Sequence, residues 1–190
     1  MNAATDTLEQ LQTDHRHLAR LLFMLQAEVD RLNMPDGEPM NLERVVEALD
    51  YLRDYPQQCH HPTEDVAYER LLEKSLSARQ RATIDRIERE HGTLEVLAKD
   101  LAAEFGRVEQ DSVVAATVLH RKTTQFVQAL YQHLRAEEDG LFPLMRDLFD
   151  AADWAAVGKK LAAQSDPLFG ERRASFDELY RYILAAEAAT

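Results

Sequence analysis

Apolar residues recur at three- and four-residue intervals along most of this chain, the pattern of helices that bury one face. Leu8, Leu11, Leu18, Leu22, Leu25, Val29 and Leu32 predict a long helix from about Thr5 to Asn33, and the position that completes its stripe is His15. Met34 to Met40 holds two prolines and a glycine, which end the helix and turn the chain. Asn41 is a candidate cap for the next helix. Its stripe runs through Val45, Leu49, Leu52 and Tyr55, passes Pro56 and Pro62, and continues through Val66 or Ala67 to Leu71. Each proline removes a backbone donor, so a kink or local distortion is expected there.

Beyond a polar turn near Ser75 to Ala78, a third helix is marked by Ile84, Ile87, Leu94, Leu97 or Ala98, Leu101 and Phe105, ending near Gly106. The gap in its stripe is His91. Asp111 or Ser112 is the expected cap of a fourth helix, whose stripe holds Leu119, Thr123, Phe126, Leu130 and Leu141, with His133 and Glu137 filling its gap. Pro143 interrupts this segment, and Phe142, Leu144, Met145, Leu148 and Phe149 carry it towards Asp150. A short helix starting at Asp153 or Trp154, a loop at Gln164 to Pro167 and a last helix from about Gly170 through Phe176, Leu179 and Ile183 complete the chain. No period-2 alternation and no flanked Asn-Gly or Asp-Gly hairpin suggests a strand. The fold class expected is all-α, with four long helices over residues 1–150 and a C-terminal helical extension, 151–190, packed on them.

Composition narrows the partners. The 190 residues are 45% hydrophobic and 29% charged, a soluble globular balance with enough chain for a sizeable core. A net charge of −12 opposes binding to nucleic acid or to an anionic membrane surface. The N-terminus lacks a charged-then-apolar signal pattern, and no run approaches the roughly 20 apolar residues of a membrane span. A cytoplasmic location is expected. The single cysteine, Cys59, excludes an internal disulfide.

The chemistry lies where polar residues interrupt apolar stripes. His15, His60, His91 and His133 each take such a place, one on each long helix, and His60/Glu64 and His133/Glu137 repeat a four-residue spacing that puts both side chains on one helix face. Burying four imidazoles and two carboxylates without a metal would require a fully satisfied polar network, each failure of which costs about 1–3 kcal/mol. A metal centre is the simpler reading. His61 lies three residues before Glu64 beside the distorting Pro62, so His60, His61 or both are candidate ligands, and Glu138 competes with Glu137. Asp65 and Glu138 read as outer or surface groups and Glu90 as solvated. His17 lies about 200° round the helix from His15, and His120 about 220° from His133, which places both on the surface. Cys59 points away from His60 and reads as a packed thiol. Imidazole and carboxylate without thiolate suit iron, manganese or zinc, and six or seven ligands suit two ions, with di-iron preferred.

These residues resemble the hemerythrin-like (HHE cation-binding) family, in particular its bacterial cytoplasmic branch. The resemblance rests on Asp14-His15, on Tyr55-Pro56 leading to His60-His61-Pro62-Thr63-Glu64-Asp65, on Glu90-His91, and on His133-Leu134-Arg135-Ala136-Glu137-Glu138 followed by Leu141-Phe142-Pro143. It implies an up-down-up-down four-helix bundle holding two non-haem irons, oxo- or hydroxo-bridged. One iron would take His15 and the His60 region, the other His91 and His133, with Glu64 and Glu137 bridging. Oxygen carriers of that family have a second histidine one turn beyond the third-helix histidine, where this chain has Glu95, and an acid five residues rather than four beyond the last histidine. Fewer imidazoles and more oxygen ligands point away from reversible oxygen storage, towards the iron- and oxygen-sensing members and the iron-centre repair proteins. The function expected is binding or sensing of oxygen, nitric oxide, peroxide or iron status. The alternatives are a peroxidase- or catalase-like oxidoreductase in oxidative or nitrosative stress, and iron storage or delivery. The partner is thus a small diatomic ligand or peroxide, with a protein partner or a second copy compatible with the extension.

Overall fold

The structure is a computed structural model that describes residues 3–34, 37–169 and 176–188. Its elements are α1 (Ala3–Asp30) with a closing 3-10 turn (Arg31–Asn33), α2 (Leu42–Tyr55), a π turn (Pro56–His60), α3 (His61–Leu72), α4 (Ala78–Glu109), α5 (Ala116–Ala136), a second π turn (Glu137–Leu141), α6 (Phe142–Leu148), α7 (Ala151–Ala162) and α8 (Asp177–Ala188). No strand occurs among the described residues. Pro35 and Asp36 of the first loop and the Gly170 start read for the last helix lie outside them.

Side-chain caps open three of the described helices, α2, α4 and α7. Asn41 accepts from the Arg44 amide at 2.9 Å, as expected, and Ser77 forms a reciprocal capping box with Gln80. Asp150 does the same with Asp153, so α7 starts at Ala151 rather than at Asp153. The expected cap of the fourth helix is corrected. Asp111 instead closes α4, at a left-handed φ of 59°, with its amide bonded to Val108 O and the Ser112 amide to Arg107 O. The helix therefore runs past Gly106, and α5 starts at Ala116 with no side-chain cap.

Two apolar clusters show how the rods are arranged. Leu11, Ala67, Ile87 and Leu141 belong to one cluster, while Leu18, Tyr55, Leu94 and Leu134 belong to the other. Going along the chain, α1 passes from the first to the second, α2–α3 from the second to the first, α4 back again and α5–α6 in reverse. The directions alternate, which is an up-down-up-down four-helix bundle. In every rod the crossing point between clusters carries the polar candidates.

Both π turns precede a proline by the same offset. The His61 amide bonds to Pro56 O and the Phe142 amide to Glu137 O, each five residues back, and Pro62 and Pro143 follow immediately. A proline cannot supply the next amide donor, so the chain widens one turn and then resumes as an α-helix. The distortion expected near Pro56 and Pro62 is this turn.

The last two helices pack on the outside of the bundle. Trp154 and Val157 of α7 join the first cluster, and Gly158 lets α7 approach α1 so closely that a Cβ there would lie 3.0 Å from Thr7 Oγ1. Leu179 and Ile183 of α8 join the second cluster. Its N-terminal amides, Glu178 and Leu179, donate to the Glu47 carboxylate at 3.3 and 2.7 Å. Arg44 ties buried Glu28 (2.5 Å) to Glu178 (3.0 Å) and lies over the Tyr182 ring. Replacing Arg44 by alanine removes the nearest cation from buried Glu28, which keeps the Asn41 amide and Arg31, and costs about 1.5–3 kcal/mol. Arg44→Ala should lower the unfolding midpoint and accelerate amide exchange in α8 first, and unchanged α8 protection would show that the clasp contributes nothing.

Candidate metal centre

Seven buried side chains meet between the two apolar clusters: His15, His60, His61, Glu64, His91, His133 and Glu137. α1 supplies His15, α4 supplies His91, and α5 with its π turn supplies His133 and Glu137. The α2–α3 rod supplies three. Successive α-helical residues point about 100° apart, yet His60 and His61 are both buried. The π turn ends at His60, so the two rings leave the rod on either side of Glu64's inward face.

The seven divide into two donor sets. His61, Glu64, His91 and His133 form one, and His15, His60, Glu64 and Glu137 the other, with the donor atoms of each set within 4.8 Å of one another. Glu64 belongs to both. Its Oε1 lies 3.2 Å from the Nε2 atoms of His15 and His60, and its Oε2 lies 3.7 Å from His91 Nε2. Glu137 Oε2 lies 3.5 Å from the Nε2 atoms of both His15 and His133 and so also stands between the sets. His60 and His61 are thus not alternatives; each faces a different set. The His61 ring stacks on His91 at 3.9 Å, bringing a second imidazole to the third-helix histidine. Glu95, which the sequence comparison places there, instead pairs with Lys99 on the exposed face. The π turn thus brings His61, one of the candidates left open, to the donor set of His91 as a fifth buried ring.

Around this core lies a ring of outer partners, each on an imidazole Nδ1. Glu138 sits 3.3 Å from His15, Gln57 3.3 Å from His61, Asp65 3.3 Å from His91 and Glu90 3.2 Å from His133. Asp14 lies 3.8 Å from His60 Nδ1, beyond hydrogen-bond range. Glu90, read as solvated, is therefore a working contact, while Asp65 and Glu138 take outer positions, as expected. Gln57 and the role of Asp14 were missed, although each neighbours a stripe histidine one helical turn or one residue away. Tyr68 donates its hydroxyl to Glu137 and packs against the His91 ring.

The surface controls separate. His120 is partly exposed and pairs with Asp30 at 3.0 Å, far from the centre. His17 is corrected: it is half-buried, with its ring stacked on Phe169 at 3.7 Å, because the C-terminal segment folds back over that face. Cys59 joins neither donor set and packs at the edge of the apolar core.

Burial governs the protonation of this cluster. It pushes the Glu64 and Glu137 carboxyls well above their usual range, and Glu64's charge adds to the effect on Glu137. The same burial lowers His60 to about 4 and His133 to about 2, and holds His61 well below 6.5. Burial thus favours the neutral forms of Glu64, Glu137, His60, His61 and His133 in the metal-free core. Nε2 of His60, His61, His91 and His133 and Oε2 of Glu64 and Glu137 find no hydrogen-bond partner in it. Six inward-facing orphans on nitrogen and oxygen, with no thiolate, fit cation binding, which would satisfy them together.

The hemerythrin HHE cation binding domain is the family whose model matches this chain, over residues 6–145, a span that includes all seven side chains. No curated protein matches the chain.

The sign of the pH dependence follows from the shifts. In the metal-free fold, raised carboxyls contribute stability that is lost as pH rises through their folded pKa, whereas lowered imidazoles cost stability as pH falls below 6.5. For metal uptake the carboxyls decide, since burial already favours the neutral form of His60, His61 and His133. Binding should release protons from Glu64 and Glu137, and affinity should rise with pH. Titration calorimetry in two buffers of different ionisation enthalpy measures the release, and zero release would show both carboxyls ionised beforehand.

Proposed function

The chain belongs to the hemerythrin HHE cation-binding family, and on that premise we propose that it is a di-iron protein that binds or senses oxygen, nitric oxide or peroxide. One observation carries the reading: two sets of buried nitrogen and oxygen donors share Glu64, and most of their inward atoms have no other partner. His15, His60 and Glu137 would hold one iron, His61, His91 and His133 the other, with Glu64 common to both. Seven protein donors leave positions open on two five- or six-coordinate ions. When bound, such a pair supplies Lewis acidity and reversible one-electron chemistry to a small ligand.

The chain's own groups prepare the site for that ligand. The Glu138, Asp65 and Glu90 carboxylates accept from Nδ1–H of His15, His91 and His133 and so leave their Nε2 lone pairs facing inward, while the Gln57 side-chain amide fixes the His61 ring from its Nδ1 edge. The Phe142 ring, 4.9 Å from His15, and the flanking apolar clusters limit water. Residues 1–150 would form the metal-holding bundle and 151–190 an extension packed on it, supported by the placement of α7 and α8 outside the four rods.

A second reading, a peroxidase- or catalase-like oxidoreductase acting under oxidative or nitrosative stress, is favoured by Tyr68. Its buried O–H donates to Glu137 and is the phenolic proton held at the centre. Cleavage of the peroxide O–O bond needs a proton moved to the leaving oxygen, with or without net proton uptake, and a hydroxyl at this place can relay one.

Two measurements separate these outcomes. Purified protein with about two irons per chain and a visible absorption that changes once and reversibly with oxygen or nitric oxide supports binding, whereas sustained peroxide loss that collapses in Tyr68→Phe supports turnover. His91→Ala and Glu137→Ala should each lower bound iron, and His120→Ala should leave it unchanged. Equal loss in all three, or a fold that takes up only zinc, would overturn the di-iron reading.

A further inference from the structure

Three clefts reach the outer partners of the centre, and they differ in charge. A groove of about 210 Å³ ends at His15 and Glu138 and is flanked by Arg16 and Arg135. One of about 240 Å³ ends at Glu90 and carries Arg86. The largest, about 620 Å³, lies between α1 and α7, and its lining holds Asp6, Asp14 and Asp166, with no lysine or arginine among the described residues. Asp6 is exposed at its mouth and Asp14 is buried.

The imidazole beneath this cleft also differs from the others. Four of the five have Nδ1 within 3.3 Å of an outer partner. His60, fully buried, has Nδ1 unpartnered and aimed at Asp14 Oδ2 from 3.8 Å. Asp14 itself is held from both sides, by Gln10 at 3.2 Å and by the Tyr55 hydroxyl at 3.1 Å. A fixed carboxylate therefore faces a ring that no hydrogen bond pins.

We propose that the acidic cleft between α1 and α7 is the port through which a hydrated divalent cation reaches the centre, with Asp14 at its floor passing the ion by the His60 imidazole. The proposal rests on the metal reading above and adds its route. Carboxylate and amide oxygens are suitable transient ligands for a cation still carrying water, and the cleft walls add Gln164 and Ser165 to the aspartates. Acidic walls concentrate cations, whereas in the other two clefts Arg86 pairs with Glu90 and Arg135 with Asp139, so their acidic charge is offset. Passage from Asp14 to His60 breaks no outer hydrogen bond, since His60 Nδ1 has none.

The test is the rate at which metal-free protein takes up Co²⁺, followed by its visible absorption after rapid mixing at low salt, with final metal content measured separately. Asp6→Lys should slow uptake roughly tenfold without changing the final content, and the difference should shrink in high salt. Asp6 lies in the first turns of α1, so Ser165→Lys, on the opposite rim, provides a second variant that leaves that helix untouched. The control is the double variant Tyr131→Lys/Gln132→Lys, which makes the same net charge change as Asp6→Lys but sits at the other two clefts. Wild-type rates in both cleft variants, or equal slowing in the control, would overturn the port while leaving the centre in place. No Co²⁺ uptake by the unaltered protein would overturn the centre itself.

Discussion

Everything in this fold depends on placing two carboxyls and five imidazoles in one apolar interior. Water cannot solvate them there, and a charge so buried costs several kcal/mol unless it is paired. Burial therefore raises the carboxyl pKa values, lowers those of His60, His61 and His133, and leaves inward atoms of the cluster unsatisfied. The bundle accommodates this by splitting its core in two, with the polar layer between. Apolar packing on both sides holds the donors together, and each rod contributes at the height where it crosses from one cluster to the other.

Helical geometry alone would not assemble this layer. Neighbouring residues on an α-helix diverge, so His60 and His61 would compete for one inward position. The π turn before them, maintained by the missing amide of Pro62, brings both inside and sends each to a different donor set. The same device recurs at Glu137, where Pro143 follows the second π turn and Glu137 rather than Glu138 is buried. Local widening costs regular backbone bonds, and the return is two adjacent side chains with separate tasks.

The outer ring links the centre to the rest of the molecule. Its carboxylates reach surface clefts of opposite character, so the approach to the centre differs from side to side although the interior is nearly symmetric. The C-terminal segment builds the largest of these clefts. Gln164 accepts from Thr63, next to Glu64, and Asp166 accepts from Tyr51, so the loop after α7 is fastened to the metal-bearing rod. Residues outside the bundle thereby shape access to its centre.

Much of this was legible from spacing. Period-3.6 stripes define four long rods, and a histidine at the interruption of each stripe marks the height of the polar layer, because a side chain's direction on a helix is set by its place in the repeat. The sequence by itself therefore determined the helical class, the rods and the histidine and glutamate side chains that converge. It could not assign His60 and His61 to separate sets, choose Glu137 over Glu138, or reveal Glu90, Gln57 and Asp14 at the outer nitrogens. Those outcomes depend on where a helix leaves its regular repeat and on which surfaces meet across the bundle. Only the tertiary structure decides them, since the relevant partners lie as far apart in sequence as His15 and Glu138 and come within 3.3 Å solely because the rods pack.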